Sequence, residues 1–281
     1  MSTPYLLAVE NLSIRIRTAH AMQVVVSDAS FDKIASPWRE AVDYAGQLEV
    51  HRLGDRLHSL YLRGSVPRGT ALPGRSDLDL FAVLFGNGST PPTAPPQFDD
   101  FLSRFPFVAS IESSHITLAN VHGPFHYYRF VMKVSAVCIH GEDLLPQIPP
   151  YTTDAPIAEE WFRIFPHLVN QFLSDFQESG NDDIKKRLCH DIMKAFLRAG
   201  MLLVMRRQRA YTRDLYPSYQ CFSKYYPAQE PAMRRCLELA VNPESDGHSL
   251  LPFVTELAEC MRQATEAEFG ALELLPAELV R

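Results

Sequence analysis

Leu62-Arg63-Gly64-Ser65-Val66-Pro67-Arg68-Gly69-Thr70-Ala71-Leu72-Pro73-Gly74-Arg75-Ser76-Asp77-Leu78-Asp79-Leu80 decides how this chain is read. A Gly-Ser turn at Gly64-Ser65 is followed, after eleven intervening residues, by the carboxylate pair Asp77 and Asp79. Side chains alternate faces along a strand, so Asp77 and Asp79 project from one side while Leu78 and Leu80 point into a core. Two neighbouring carboxylates repel unless a positive group lies between them. A divalent cation answers that need, with hard oxygen ligands and a nucleotide's phosphates completing its shell. The small turn upstream lets backbone N–H groups come close to those phosphates. The stretch therefore points to phosphoryl or nucleotidyl chemistry.

On the N-terminal side, Trp38, Val42, Ala45, Leu48 and Leu53 recur with helical spacing from Trp38 to about Arg56. Ser36 is the expected N-cap, with Pro37 in the first turn. Ser59–Leu62 reads as a short strand feeding the turn, and Asp77–Leu84 as a second strand. Residues Gly86 to Pro96 hold four prolines and two glycines, which fits a surface loop rather than a helix or central strand. Gln97–Phe105 reads as a short helix, followed by a strand within Phe107–Leu118. Arg129–Ile139 is apolar-rich and runs into His140-Gly141-Glu142-Asp143, where the two acids cap the step into the second domain. Pro146-Gln-Ile-Pro-Pro150 is a natural boundary.

Beyond Thr153 the texture is helical. Asp182–Arg206 is clearest, with Ile184, Leu188, Ile192, Ala195, Ala199 and Leu203 spaced by threes and fours; Glu230–Leu239 and Leu251–Phe269 continue the style. The expected fold is α/β (α+β): a mixed-sheet domain over residues 1–152, then an all-α helical bundle over residues 153–281.

The 281 residues suffice for two modest domains, and 46% hydrophobic with 21% charged residues is an ordinary globular balance. A net charge of −6 argues against a protein that coats nucleic acid without sequence preference and suits a cationic small substrate. The five cysteines are widely spaced with no metal-binding pattern, as expected of reduced thiols. Tyr5-Leu6-Leu7-Ala8-Val9 is too short and lacks the basic flank of a signal peptide, and no apolar run reaches membrane-spanning length, so a cytoplasmic protein is expected.

Gly64-Ser65-Val-Pro-Arg68-Gly69 followed by Ser76-Asp77-Leu-Asp79-Leu resembles the signature of the DNA polymerase β-like nucleotidyltransferase superfamily. The Arg-Gly in the spacer and the Ser before the first Asp are typical of its small bacterial MNT-like and aminoglycoside adenylyltransferase-like members. The resemblance implies transfer of AMP, or another nucleoside monophosphate, from an NTP to an acceptor hydroxyl. ATP would be the cosubstrate and Mg2+ the cofactor, in a two-metal site held by Asp77 and Asp79. Gly64 and Ser65 would contact the phosphates, with Arg68 adding charge and Ser76 completing the nucleotide-binding turn.

The superfamily also implies a third carboxylate on a neighbouring strand. Glu112, within Ser110-Ile-Glu-Ser-Ser-His-Ile-Thr117, is the candidate for metal ligand or base, although Ser113, Ser114 and His115 replace the usual apolar run. His115 is an alternative base. In the helical part, Arg187, Asp191, Lys194 and Arg198 share one helix face. Arg198 and Arg213 resemble the Arg and Lys that adenylyltransferases place on the nucleotide phosphates, and Lys194 joins that cationic set. Tyr211, Tyr216 and Tyr219 are placed either to stack a base or to pack between domains. For the acceptor, three readings stand: an aminoglycoside-like small molecule; a tRNA or protein hydroxyl, as in toxin-type enzymes; or none, in a non-catalytic nucleotide-binding or antitoxin module.

Overall fold

The computed structural model describes residues 18–19, 24–86, 98–123 and 127–276. The chain divides into two compact units: Val26–Tyr151, and Met1–Val25 together with Thr152–Arg281. The expected surface loop after Gly86 lies outside the described residues.

In the second of these units, the short antiparallel pair β1 (Thr18–Ala19) and β2 (Val24–Val25) joins the helices through a bridge from Val24 to Thr152. The unit Val26–Tyr151 begins with α1 (Ser36–Leu53) and β3 (Leu57–Arg63). Next come the one-turn helix α2 (Ser65–Arg68) and β4 (Leu78–Leu84). It continues with α3 (Asp99–Arg104), β5 (Ile111–Thr117), α4 (Leu118–His122), α5 (Tyr127–Ser135) and β6 (Ala136–Gly141).

The sheet order is β5-β4-β3-β6; β3 runs antiparallel to β4 and β6, whereas β4 and β5 are parallel. This is the mixed sheet expected of an α/β fold. On one face Leu60, Leu62, Leu78, Leu80, Ala82 and Leu84 are buried with Trp38, Ala41, Val42 and Ala45 of α1 and with Phe101 and Phe105 of the α3 segment. Alternation therefore sends Arg63, Asp79 and Phe81 to the opposite face.

Two details of α1 differ from the sequence reading. Its N-cap is Ala35, which makes no side-chain capping bond, and Ser36 and Pro37 both lie inside the first turn. Leu48 is only half-buried, and the fully buried position on the stripe goes to Glu49. Strand β4 starts at Leu78, so Asp77 lies just ahead of it.

The helical part comprises α6 (Ile157–Glu178), α7 (Asp182–Gln208), α8 (Leu215–Tyr225), α9 (Glu230–Val241) and α10 (Gly247–Phe269). Helix α7 packs against the other four. It starts at Asn181, whose side chain accepts from the backbone N–H groups of Asp183 (2.8 Å) and Ile184 (3.2 Å). Its apolar contacts lie further along than expected: Ile184 is 40% exposed, whereas Ile192, Met193, Phe196, Leu197 and Leu203 are buried. No helix among the described residues is long and apolar enough to cross a membrane.

Candidate active site

The candidate site is built on the ends of three adjacent strands. Gly64, directly after β3, has φ 87° and ψ −150°, a region essentially confined to glycine. A Cβ on Gly64 would stand 2.2 Å from Oδ2 of Asp79. The missing side chain is thus what admits the Asp79 carboxylate against the turn. Ser65 opens α2, and the turn behind it is closed by Thr70 N–H donating to the Ser65 carbonyl at 3.0 Å.

Pairing sets a row across the sheet. Arg63 stands opposite Asp79 in the antiparallel β3–β4 ladder, and Asp79 stands opposite Glu112 in the parallel β4–β5 ladder. Residues directly paired in register project from the same face. Asp79 is half-buried and Glu112 exposed. Asp77, two residues ahead of Asp79, accepts a 2.7 Å hydrogen bond from the Ser110 hydroxyl, which precedes β5. Ser76 closes the approach to the pair: its N–H donates to the Leu72 carbonyl and its Oγ accepts from the Leu72 N–H, both at 2.9 Å.

Other sequence candidates have different surroundings. Nε of Arg68 donates to Asp28 at 2.7 Å, an ion pair that ties α2 to the segment before α1. His115 pairs with Ala82, so its ring lies on the α1 face of the sheet, away from Asp79 and Glu112. It is therefore out of place as the alternative base. Burial chiefly, then the Arg52 guanidinium, lowers its pKa below the ordinary histidine value. Lys194 and Arg198 lie on α7 and Arg213 in the connection to α8, all in the helical unit; the Lys194 ammonium is 3.4 Å from Asp191. Tyr216 and Tyr219 pack their rings together at 5.9 Å, and the Tyr219 hydroxyl bonds Glu230. Asp143 does cap a step: its Oδ1 accepts the Leu145 N–H at 3.0 Å.

Sequence spacing passed over Arg63 and Ser110. Arg63 abuts the Gly-Ser turn. Its Nε is fully buried with no hydrogen-bond partner among the described residues, and its guanidinium lies 5.6 Å from the Phe81 ring centroid. Placing a cation next to Gly64 was a signal available in the sequence. Ser110 carried no such signal, because its contact to Asp77 depends on the β4–β5 register.

Among the described residues no group of three or more His, Cys, Asp or Glu side chains is gathered to hold a metal ion. The donor set nonetheless fits magnesium, which uses one or two carboxylates and takes further oxygens from substrate phosphates and water. Asp77 and Asp79 supply the hard oxygens, and the absent Cβ of Gly64 is what lets the Asp79 carboxylate lie against the turn.

No family model matches the chain, and no curated protein matches its sequence. Among solved structures it is similar to a spectinomycin adenyltransferase, AAD(9), from Enterococcus faecialis, whose crystals held ATP and spectinomycin. The identity is 13%, the match covers 79% of this chain and 98% of that one, and the TM-score is 0.46. A likeness that distant says nothing about activity, so the chain's own residues have to carry the functional reading.

Proposed function

We propose that this chain is a metal-dependent nucleotidyltransferase that moves a nucleoside monophosphate, AMP in the first instance, from an NTP to a hydroxyl of a small cationic acceptor. The observation that carries the reading is the seating of the Asp79 carboxylate on Gly64, in line with Glu112 across the sheet. An ordinary exposed strand has no need of a glycine-only turn to admit a carboxylate.

Asp77 and Asp79 would hold Mg2+, which when bound neutralises triphosphate charge and favours the leaving pyrophosphate. The Ser110 hydroxyl fixes the rotamer of Asp77, and the turn at Gly64-Ser65 gives the triphosphate room to approach the backbone. Glu112 accepts the proton of the acceptor hydroxyl as its oxygen bonds the α-phosphorus. The bond from the α-phosphorus to its bridging oxygen breaks, and pyrophosphate departs. Catalysis of this kind rests on positioning and charge rather than on covalent chemistry with the protein. The net charge of −6 favours a cationic acceptor.

The test is pyrophosphate release from ATP and magnesium with panels of aminoglycosides, tRNA and protein acceptors. Asp79→Asn is expected to abolish turnover while the melting temperature stays near that of the parent. Full activity in Asp79→Asn would refute the metal assignment, and no release with any acceptor would refute the transfer itself.

A further inference from the structure

Helix α1 carries an ionisable group where its stripe calls for an apolar one. Glu49 is fully buried, on the same face as Trp38, Val42, Ala45 and Leu53. A buried carboxylate is tolerated only when paired and hydrogen-bonded. Arg52 supplies both, through Nε to Oε1 at 3.0 Å and Nη2 to Oε2 at 2.5 Å. The third donor comes from the sheet: the Ser113 hydroxyl reaches Glu49 Oε2 at 2.9 Å, with Arg52 Nη2 3.5 Å from the same hydroxyl.

Ser113 adjoins Glu112 and stands opposite Leu80, a core residue, where an apolar side chain would pack well. Replacing such a buried polar cluster by apolar groups is often neutral or stabilising, so stability gives no reason for its presence. Register does. Among the described residues, strand β5 is at the edge of the sheet and is paired only with β4. A slip of one residue would turn Glu112 to the α1 face, and a slip of two would carry it past Asp79.

We propose that the Glu49–Arg52 pair is a positioning device that holds Ser113 down on α1 and thereby fixes Glu112 opposite Asp79. The inference rests on the transfer reading above, in which Glu112 takes the acceptor's proton. It also accounts for a serine at position 113, next to Glu112, in place of an apolar residue.

The experiment compares Ser113→Ala, Ser113→Thr and Glu49→Gln in the full chain, alone and combined with Glu112→Gln. Ser113→Ala is expected to lower kcat by about 10–100-fold with ATP affinity unchanged, the scale seen when a group supporting a catalytic residue is removed. Ser113→Thr keeps the hydroxyl and is expected to restore turnover. In the Glu112→Gln background, Ser113→Ala is expected to remove nothing further from the residual turnover of radiolabelled ATP. Amide hydrogen exchange is expected to quicken across residues 111–117 but not in β3. Glu49→Gln, close to the native shape, repeats these measurements should Ser113→Ala fold poorly. Equal losses in both Glu112 backgrounds, or parental kcat in Ser113→Ala, would overturn the proposal. A parent chain that binds ATP but transfers nothing defeats the transfer reading instead. The anchor is then judged by exchange alone: faster exchange confined to 111–117 upholds it, and unchanged exchange refutes it.

Discussion

Replacing Gly64 by alanine should damage activity far more than stability, because the added methyl meets the carboxylate proposed to hold the metal. Two effects combine. The backbone at φ 87°, ψ −150° is strained for any L side chain, at a cost of about 1–3 kcal/mol. The new Cβ would also lie 2.2 Å from Asp79 Oδ2, so the carboxylate must retreat by more than about 1 Å to reach ordinary contact. A misplacement of that size at a reacting centre costs about 100-fold in rate. Gly54→Ala is the matched control. Gly54 lies in the same unit with φ 53°, and a Cβ there meets nothing within 4 Å, so it samples backbone strain without touching the site. Both variants should melt a few degrees below the parent. Only Gly64→Ala should lose pyrophosphate release by about two orders of magnitude, measured with ATP, magnesium and a competent acceptor. Equal activity in the two variants would show that contact with Asp79 is irrelevant and remove the main support for the site.

Glu112→Gln should keep nucleotide binding, followed by ATP-analogue fluorescence, and lose transfer; unchanged transfer would move the base elsewhere. Tyr61→Phe should destabilise the unit Val26–Tyr151 by about 1–3 kcal/mol in denaturant melts, because the Leu144 N–H, which donates to the Tyr61 hydroxyl at 2.8 Å, would be left buried without an acceptor. That hydroxyl's own pKa is pushed up to about 12 by burial, so its ionisation plays no part near neutrality. His115 should make the fold acid-sensitive. Burial and Arg52 lower its pKa in the folded chain, so its contribution is complete above about pH 6.5 and is lost as pH falls through the folded value. His115→Gln should therefore flatten the decline of melting temperature between about pH 7.5 and about pH 5.5, and an identical decline would refute the assignment.

Much of the fold was legible because it is written in local spacing. The alternation Leu78-Asp79-Leu80 placed the two leucines in the core and Asp79 on the other face, as the buried leucines and half-buried Asp79 bear out, while Asp77 lies just ahead of the strand. The long helices were legible for the same reason, since a repeat of three and four residues needs no knowledge of the partner. Their details were not. Ile184 fits the stripe of α7 yet is exposed, because burial depends on which helices lie alongside. Nor did spacing show that Arg68 pairs with Asp28, forty residues away in sequence. Glu49 was hidden in plain sight: the spacing 38, 42, 45, 49, 53 puts it on the buried stripe, but a carboxylate at a core position is credible only once Arg52 and Ser113 are seen to satisfy it.

The sequence by itself determined the candidate turn and strand, because residues within one segment are ordered by covalent geometry: a glycine turn, then two acids two positions apart. Only the tertiary structure decided what stands beside them. That Arg63 and Glu112 flank Asp79, that Ser110 holds Asp77, and that His115 points the other way are all consequences of the register between strands. Register is a long-range outcome of packing, in which a single-residue slip reverses every side chain. No spacing within one strand encodes it.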